Sequence, residues 1–391
     1  MRKLPIVATL SLLALTLTGC NTQTEHEAFN QANIGAAFGP VMETDHAYYY
    51  HTNDLSYELH YYDKASGKSI FLCNKPECSH DGNEFCAATV GGRYVLHSAL
   101  YEDGIYIAAL ECKDDRLDKK LFKVSLDGTK LEDICTYGYD PATDLIGIAY
   151  NDEKYMAIYE GIAFIPYSTL QKDDSFNYGT AIVDLDSGSV KYLEEYNSFT
   201  SSGQKGYIPY EDYLYYCVSD PYNRYPKLYR YHLSQKNTEE IPIPGGFNDF
   251  CIVEGEVIYT QPDAEGFYHI YALNPDTLEA KDLTGALTNA DGTSLLREWD
   301  GRLLFDGEYL VTFASPNNED HQYRYFVFTK DGSLLTDFSH PDTIDSHYDI
   351  CMANGYVYFR DYYSMVRCSM QDILKGTPEW KPLFTTPTEA E

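Results

Sequence analysis

One phrase recurs along the chain, and it restricts the fold more than any other feature of the sequence. An acidic or Gly-containing turn leads into a short, Tyr-rich apolar run. A loop follows, then a second apolar run ending at an Asp/Ser-Gly type of turn, then a third and more polar run. The first run is read at Ala47–Tyr50, Ile105–Ala108, Ile162–Ile165, Tyr213–Tyr216, Val257–Tyr259, Tyr309–Phe313 and Tyr356–Phe359. Turns such as Glu102-Asp103-Gly104, Glu160-Gly161, Glu254-Gly255 and Asn354-Gly355 precede it. The second run is Leu59–Asp63, Leu121–Leu126, Thr180–Asp184, Leu228–His232, His269–Leu273, Tyr325–Thr329 and Met365–Cys368. The seven copies step forward by 44 to 58 residues.

Apolar runs of this length, rich in β-branched and aromatic residues and bounded by Gly, Asp, Asn or Pro, read as antiparallel strands joined by hairpins. A period of 40 to 60 residues with about four strands each marks the blades of a β-propeller, because one small sheet buries both faces only when neighbours pack on them. No sustained helical periodicity interrupts the scheme, so the chain is expected to be all-β. Residues 36–386 are read as a single seven-bladed β-propeller, with 387–391 as a tail. The uneven steps also accommodate six or eight blades, and a pair of β-sandwiches is the weaker alternative. Length alone would suggest two or three domains for 391 residues, but a repeat grows by adding like units to one body. The 38 Tyr then belong between sheets, where the ring buries area and the hydroxyl reaches a polar edge.

The first residues give an address. Met1-Arg2-Lys3 is a basic start, Leu4 to Leu17 a short apolar core, and Leu17-Thr18-Gly19-Cys20 a cleavage box with small residues. That core is too short to be read as a spanning helix. Residues 1–19 are expected to be a lipoprotein signal peptide and Cys20 the lipidated N-terminus, with residues 20–35 forming a flexible polar tether. The folded part is then expected outside the cytoplasm, held to the bacterial cell membrane by acyl chains. A formal net charge of −31 argues against nucleic acid or a bare anionic lipid surface as a binding partner of the folded part.

The most concentrated local feature is Cys73-Asn-Lys-Pro-Glu-Cys78-Ser-His80-Asp-Gly-Asn-Glu-Phe-Cys86, a C-x4-C-x-H-x5-C spacing on a Pro/Gly/Asn-rich loop. Thiolate and imidazole are the donors that zinc, iron or a similar soft-ligand metal prefers. Outside the cytoplasm a disulfide is an equally plain account, and a catalytic role is the remaining one. Cys112, Cys135, Cys217, Cys251, Cys351 and Cys368 bring the cysteines beyond Cys20 to an odd number, so internal disulfides leave at least one unpaired.

The cleavage box, the Tyr-Tyr-Tyr and Tyr-Tyr-Asp-Lys-x-x-Gly phrases and, above all, Cys73-x4-Cys78-x-His80-x5-Cys86-Ala resemble a group of uncharacterised lipoproteins of gut Clostridia and related Firmicutes. These are described as TolB-like or low-density-lipoprotein-receptor-like propellers carrying a domain of unknown function. The resemblance spans nearly the whole mature chain. It implies a surface lipoprotein with a propeller fold and supplies no catalytic residues.

Motifs of familiar enzymes are missing from the sequence. There is no Gly-x-Ser-x-Gly elbow, His-Glu-x-x-His helix, P-loop or dinucleotide fingerprint, and no Ser-x-Asp-x-Gly-x-Thr-Trp box. Asp184-Leu-Asp186-Ser-Gly188 reads as a hairpin turn, and His46, His51, His60 and His97 read as packed strand residues. Tyr222, Arg224 and Tyr225 in one Pro-rich loop, and Tyr362 and Tyr363 in another, are candidates for a ligand-facing surface. The expected function is therefore a binding scaffold for a glycan, a peptide or a partner protein. The alternative is an extracytoplasmic hydrolase or lyase acting on carbohydrate at the propeller axis.

Overall fold

In the computed structural model, seven sheets follow one another along the chain, each built from consecutive strands. Described are residues 33–34, 41–51, 58–80, 82–113, 116–141, 156–170, 176–193, 207–218, 225–296, 302–314, 323–339, 341, 350–360 and 364–385. Blade one holds β1 (Asn33–Ile34), β2 (Val41–Glu43), β3 (Ala47–His51), β4 (Leu59–Asp63) and β5 (Lys68–Phe71). Blade two holds β6 (Tyr94–Tyr101), β7 (Gly104–Lys113), β8 (Arg116–Ser125) and β9 (Leu131–Pro141). Blade three holds β10 (Ala157–Tyr159), β11 (Ile162–Leu170), β12 (Phe176–Asp184) and β13 (Val190–Tyr192). Blade four holds β14 (Ile208–Tyr210), β15 (Tyr213–Val218), β16 (Lys227–His232) and β17 (Asn237–Ile241). Blade five holds β18 (Phe250–Val253), β19 (Glu256–Pro262), β20 (Tyr268–Leu273) and β21 (Ala280–Asp282). Blade six holds β22 (Leu303–Phe305), β23 (Tyr309–Ala314), β24 (Arg324–Thr329) and β25 (Leu334–Ser339). Blade seven holds β26 (Ile350–Ala353), β27 (Tyr356–Arg360), β28 (Ser364–Ser369) and β29 (Lys381–Thr385), with the short helix α1 (Met370–Leu374) between the last two.

The fold is thus the seven-bladed propeller expected from the repeat. With blade one counted from β2, all seven instances of the first run fall on the second strand of a blade (β3, β7, β11, β15, β19, β23, β27), and all seven of the second run on the third. Second strands are buried on both faces: every residue of Ala47–His51 is buried. They therefore read as continuous apolar runs, not as alternation. Outermost strands are the reverse, as in Ala280–Asp282, all exposed.

Apolar clusters show how the blades join. Met42, Tyr49, Ile105 and Ile107 share one cluster across blades one and two, and Ala108, Leu121, Ile158 and Ile165 share one across blades two and three. The series continues around the ring to a cluster of Val41, Tyr48, Tyr50, Ala353, Tyr358 and Met365, which joins blade seven to blade one. Tyrosines fill these seams. Tyr325 lies between Phe338 and Phe359, with ring centroids 5.1 Å away on each side, and such aromatic pairs add about 0.5–1.5 kcal/mol each beyond area burial.

Among the described residues, no strand is exchanged between the first and last blades. Their junction rests on that cluster, on β1 beside β26, on a hydrogen bond from the Arg367 guanidinium to the Tyr48 hydroxyl (3.2 Å), and on one from Asn354 Nδ2 to Glu43 Oε2 (3.4 Å). In the blade five–six junction, the buried Asp249 carboxylate accepts from the backbone N–H of Phe250 (2.8 Å) and of Leu303 (2.9 Å).

The two ends of the propeller differ in their connections. First and second strands meet in tight turns at one end, where Glu102, Glu160, Glu211, Glu254 and Asn354 each take a left-handed φ of 48–53°. Third and fourth strands turn at that same end, with Asp127 and Asp184 bonding the turn backbone ahead of them, as the hairpin reading of Asp184 requires. The second-to-third connections and the links between blades leave from the opposite end, here called the loop end. In β1, Asn33 pairs with Met42 and Ile34 with Val41, so this short strand runs from the tight-turn end toward the loop end along the inside of blade one.

Candidate metal centre

The link from β5 to β6, residues 72–93, contains the four donors singled out by spacing. The fold brings them together: one ligand atom from each of Cys73, Cys78, His80 and Cys86 can be chosen so that all lie within 4.8 Å of one another. Cys86 is buried and the other three are partly buried, and Cys73, Cys78 and Cys86 are not joined by disulfides. Cys86 Sγ lies 3.5 Å from His80 Nδ1, and Asn83 Nδ2 donates to Cys78 Sγ at 3.3 Å. A hydrogen bond from the His80 backbone holds the Cys78 thiol below its ordinary range, whereas burial pushes that of Cys86 up. Four donors at this separation are compatible with a single metal ion.

Local geometry explains why this loop adopts its path. One wall is apolar: Leu72, Ala87 and Val90 are buried in the cluster between blades one and two. The Leu59 N–H donates to the Ala88 carbonyl (2.7 Å), and the Leu72 N–H donates to the Leu59 carbonyl (2.9 Å). At the loop's neck, a side chain on Gly92 would meet the Gly82 carbonyl at 2.5 Å, so only glycine permits this approach. On the blade-two side, the Asn74 N–H donates to the Gly128 carbonyl at 3.2 Å, and a Cβ on Gly128 would lie 2.8 Å from the Leu72 carbonyl carbon. Cys73 is therefore pressed against the turn between β8 and β9.

His80 has a φ of 56° and its ring stacks on Phe71 at 4.6 Å between centroids. Phe71 in turn faces His60 (4.7 Å), and His60 faces Tyr50 (5.5 Å). Tyr50, His60 and Phe71 are direct cross-strand neighbours on β3, β4 and β5, so the imidazole caps a row of rings that crosses blade one. Sequence reasoning missed Phe71 and Gly128, which lie outside the Cys/His spacing. The Ile-Phe pair that ends β5 just before Cys73 is the only signal for the first of these.

Of the remaining candidates, one lies among the described residues. Tyr225 is partly buried, and its ring lies so close to Gly246 that a Cβ there would meet it at 2.3 Å. Tyr222, Arg224, Tyr362, Tyr363 and Cys20 lie outside the described residues. His51, His60 and His97 are buried, as read from the sequence, and His46 is exposed.

No family profile and no curated protein matches the chain. Solved structures similar to it include an oligogalacturonate lyase in complex with manganese, with a TM-score of 0.46 at 14% identity over 85% of this chain and 84% of that one. The β-propeller domain of the Trilobed protease from Pyrococcus furiosus gives 0.46 at 10% identity over 74% and 82%. TolB from Acinetobacter baumannii gives 0.40 at 13% identity over 89% and 78%.

Proposed function

We propose that this chain is a lipid-anchored lipoprotein of the bacterial cell membrane, acylated at Cys20, whose propeller stands outside the cytoplasm as a binding scaffold for a glycan, a peptide or a partner protein. The observation that carries the reading is the contrast between the two ends of the ring. One is closed by tight, acidic turns, and the other carries the links between blades, among them the Cys/His link. The direction of β1 supports the same arrangement: this strand starts at the tight-turn end, so a tether joined to it there would leave the loop end facing away. Binding sites of repeat scaffolds lie on such loop-bearing ends.

In this reading the Cys/His link is a structural clasp and not a reaction centre. It follows the outermost strand of its blade and offers four protein donors, a full tetrahedral set with no position left for substrate. The test has two arms. Grown with an alkyne fatty acid, a bacterial host expressing the chain should label it and retain it in membranes, while Cys20→Ala should be neither labelled nor retained. Offered arrays of polysaccharides and peptides, the solubilised chain should retain a ligand without shortening it. An unlabelled wild-type chain would overturn the anchor, and product release would overturn the scaffold in favour of a hydrolase or lyase.

A further inference from the structure

We infer that Cys73, Cys78, His80 and Cys86 bind one zinc ion, and that this ion fastens the seam between blades one and two. The inference rests on the clasp reading above and deepens it by naming the metal and the joint that it holds. Zinc bound by thiolate at about 2.3 Å and by imidazole at about 2.0–2.1 Å places the donors of a tetrahedron about 3.5–3.8 Å apart, inside the 4.8 Å that encloses these four. A disulfide would employ two of the three thiols and leave the third, together with His80, without a purpose. A metal ion uses all four. The shell is closed by protein donors, as structural zinc shells are, and zinc takes no part in electron transfer, so the site suits an oxidising exterior. A cluster of iron and sulfide is ordinarily held by four cysteines or by paired histidines, and this set of three thiols and one imidazole matches neither.

The position of the site gives the ion its task. The donor loop begins where β5 ends, passes the β8–β9 turn of blade two through the Asn74–Gly128 hydrogen bond, and buries Ala87 and Val90 between the two blades. Cys73 therefore belongs to the rim of blade one, while Cys86 adjoins residues packed inside the seam. Joining them through a single ion ties the rim to the seam. Phe71 acts through His80: its ring stacks on the imidazole at 4.6 Å and fixes the plane in which the nitrogen is presented. It is a positioning residue and touches no metal.

The test uses the full chain in detergent, purified anaerobically without a histidine tag. Elemental analysis should give one zinc per chain, and replacement by cobalt(II) should produce the d–d and thiolate charge-transfer bands of a tetrahedral sulfur-rich shell. Cys78→Ser and His80→Ala should each weaken zinc binding at least tenfold. Phe71→Leu keeps every donor, so it should shift the cobalt bands and weaken zinc severalfold without abolishing it. Chelation should release amide-exchange protection at Leu59, Ile107 and Val124 in the first seam and leave Val257 in the fourth seam unchanged. A chain purified without metal but with two of Cys73, Cys78 and Cys86 bridged would overturn zinc and keep a clasp. Reduced thiols with neither metal nor bridge would overturn both readings. Iron in place of zinc would overturn the metal, and protection lost evenly around the ring would overturn the fastening role.

Discussion

Removing the Asp249 carboxylate should loosen the joint between blades five and six by an amount that follows from its two bonds. Asp249 is buried, and each oxygen serves one backbone N–H, that of Phe250 at 2.8 Å and that of Leu303 at 2.9 Å. Leu303 is itself fully buried, so its N–H has no access to bulk water when the carboxylate is gone. A buried donor left without its acceptor costs about 1–3 kcal/mol. Asp249→Ala strands two such donors and should cost about 2–6 kcal/mol. Asp249→Asn keeps the shape, but either orientation of the amide turns an NH2 toward one of the N–H groups, so it should cost about 1–3 kcal/mol. For a ring of roughly 350 residues the unfolding entropy is about 0.7 kcal/mol per kelvin, so Tm should fall by about 3–8 K for Ala and about 1.5–4 K for Asn. Calorimetry reads the totals, and amide exchange at Leu303 reads the local event. An Asn variant within 1 K of wild type, or unchanged protection of the Leu303 amide in the Ala variant, would refute the bridge.

Two further perturbations probe other parts of the ring. Burial, assisted by the neighbouring Lys119, pushes His97 down to about 4. The folded chain therefore keeps it neutral while the unfolded chain takes up a proton near pH 6.5, so its contribution is complete above pH 6.5 and is lost as pH falls from there toward 4. The loss should approach about 3 kcal/mol, and denaturation titrations of His97→Gln should lack this part of the pH slope. Arg367 lies 4.4 Å from the Tyr356 ring centroid and donates to Tyr48 across the closing junction. Arg367→Met should cost about 1–2 kcal/mol and raise exchange at Tyr48 and Tyr358 first; stability equal to wild type would show that the junction does not depend on this contact.

The second and third strands of every blade were legible because burial on both faces, or on one, writes a short run rich in aromatic and β-branched residues that recurs once per blade. The innermost strands were not. Val41–Glu43, Ala157–Tyr159 and Leu303–Phe305 are three residues long, too short for a periodic signal even where, as in Leu303–Phe305, every residue is apolar. Blade two misleads in a different way. Arg116-Leu117-Asp118-Lys119-Lys120 looks like an exposed polar connection, yet it opens β8, and Lys119 is fully buried there. The helix α1 is five residues long, too short for a periodic signal, though the Ser369 hydroxyl accepts from the Asp372 N–H (3.1 Å) in an ordinary N-cap. The four donors of the Cys/His link were plain in the sequence because they sit within fourteen residues. Gly128 and the ring row behind His80 were not, since register and blade order bring them to the site.

Among the described residues each sheet is drawn from consecutive strands of the chain, and no strand is borrowed across the closing junction. The unit of inheritance can therefore be a whole blade. Duplicating or deleting one segment of 44 to 58 residues inserts or removes a complete sheet without rewiring its neighbours, and a circular permutation cut between any two blades keeps every sheet intact. A chain built this way can change the width of its ring between relatives by recombination alone, while the loops at one end vary independently of the packing that holds the ring together.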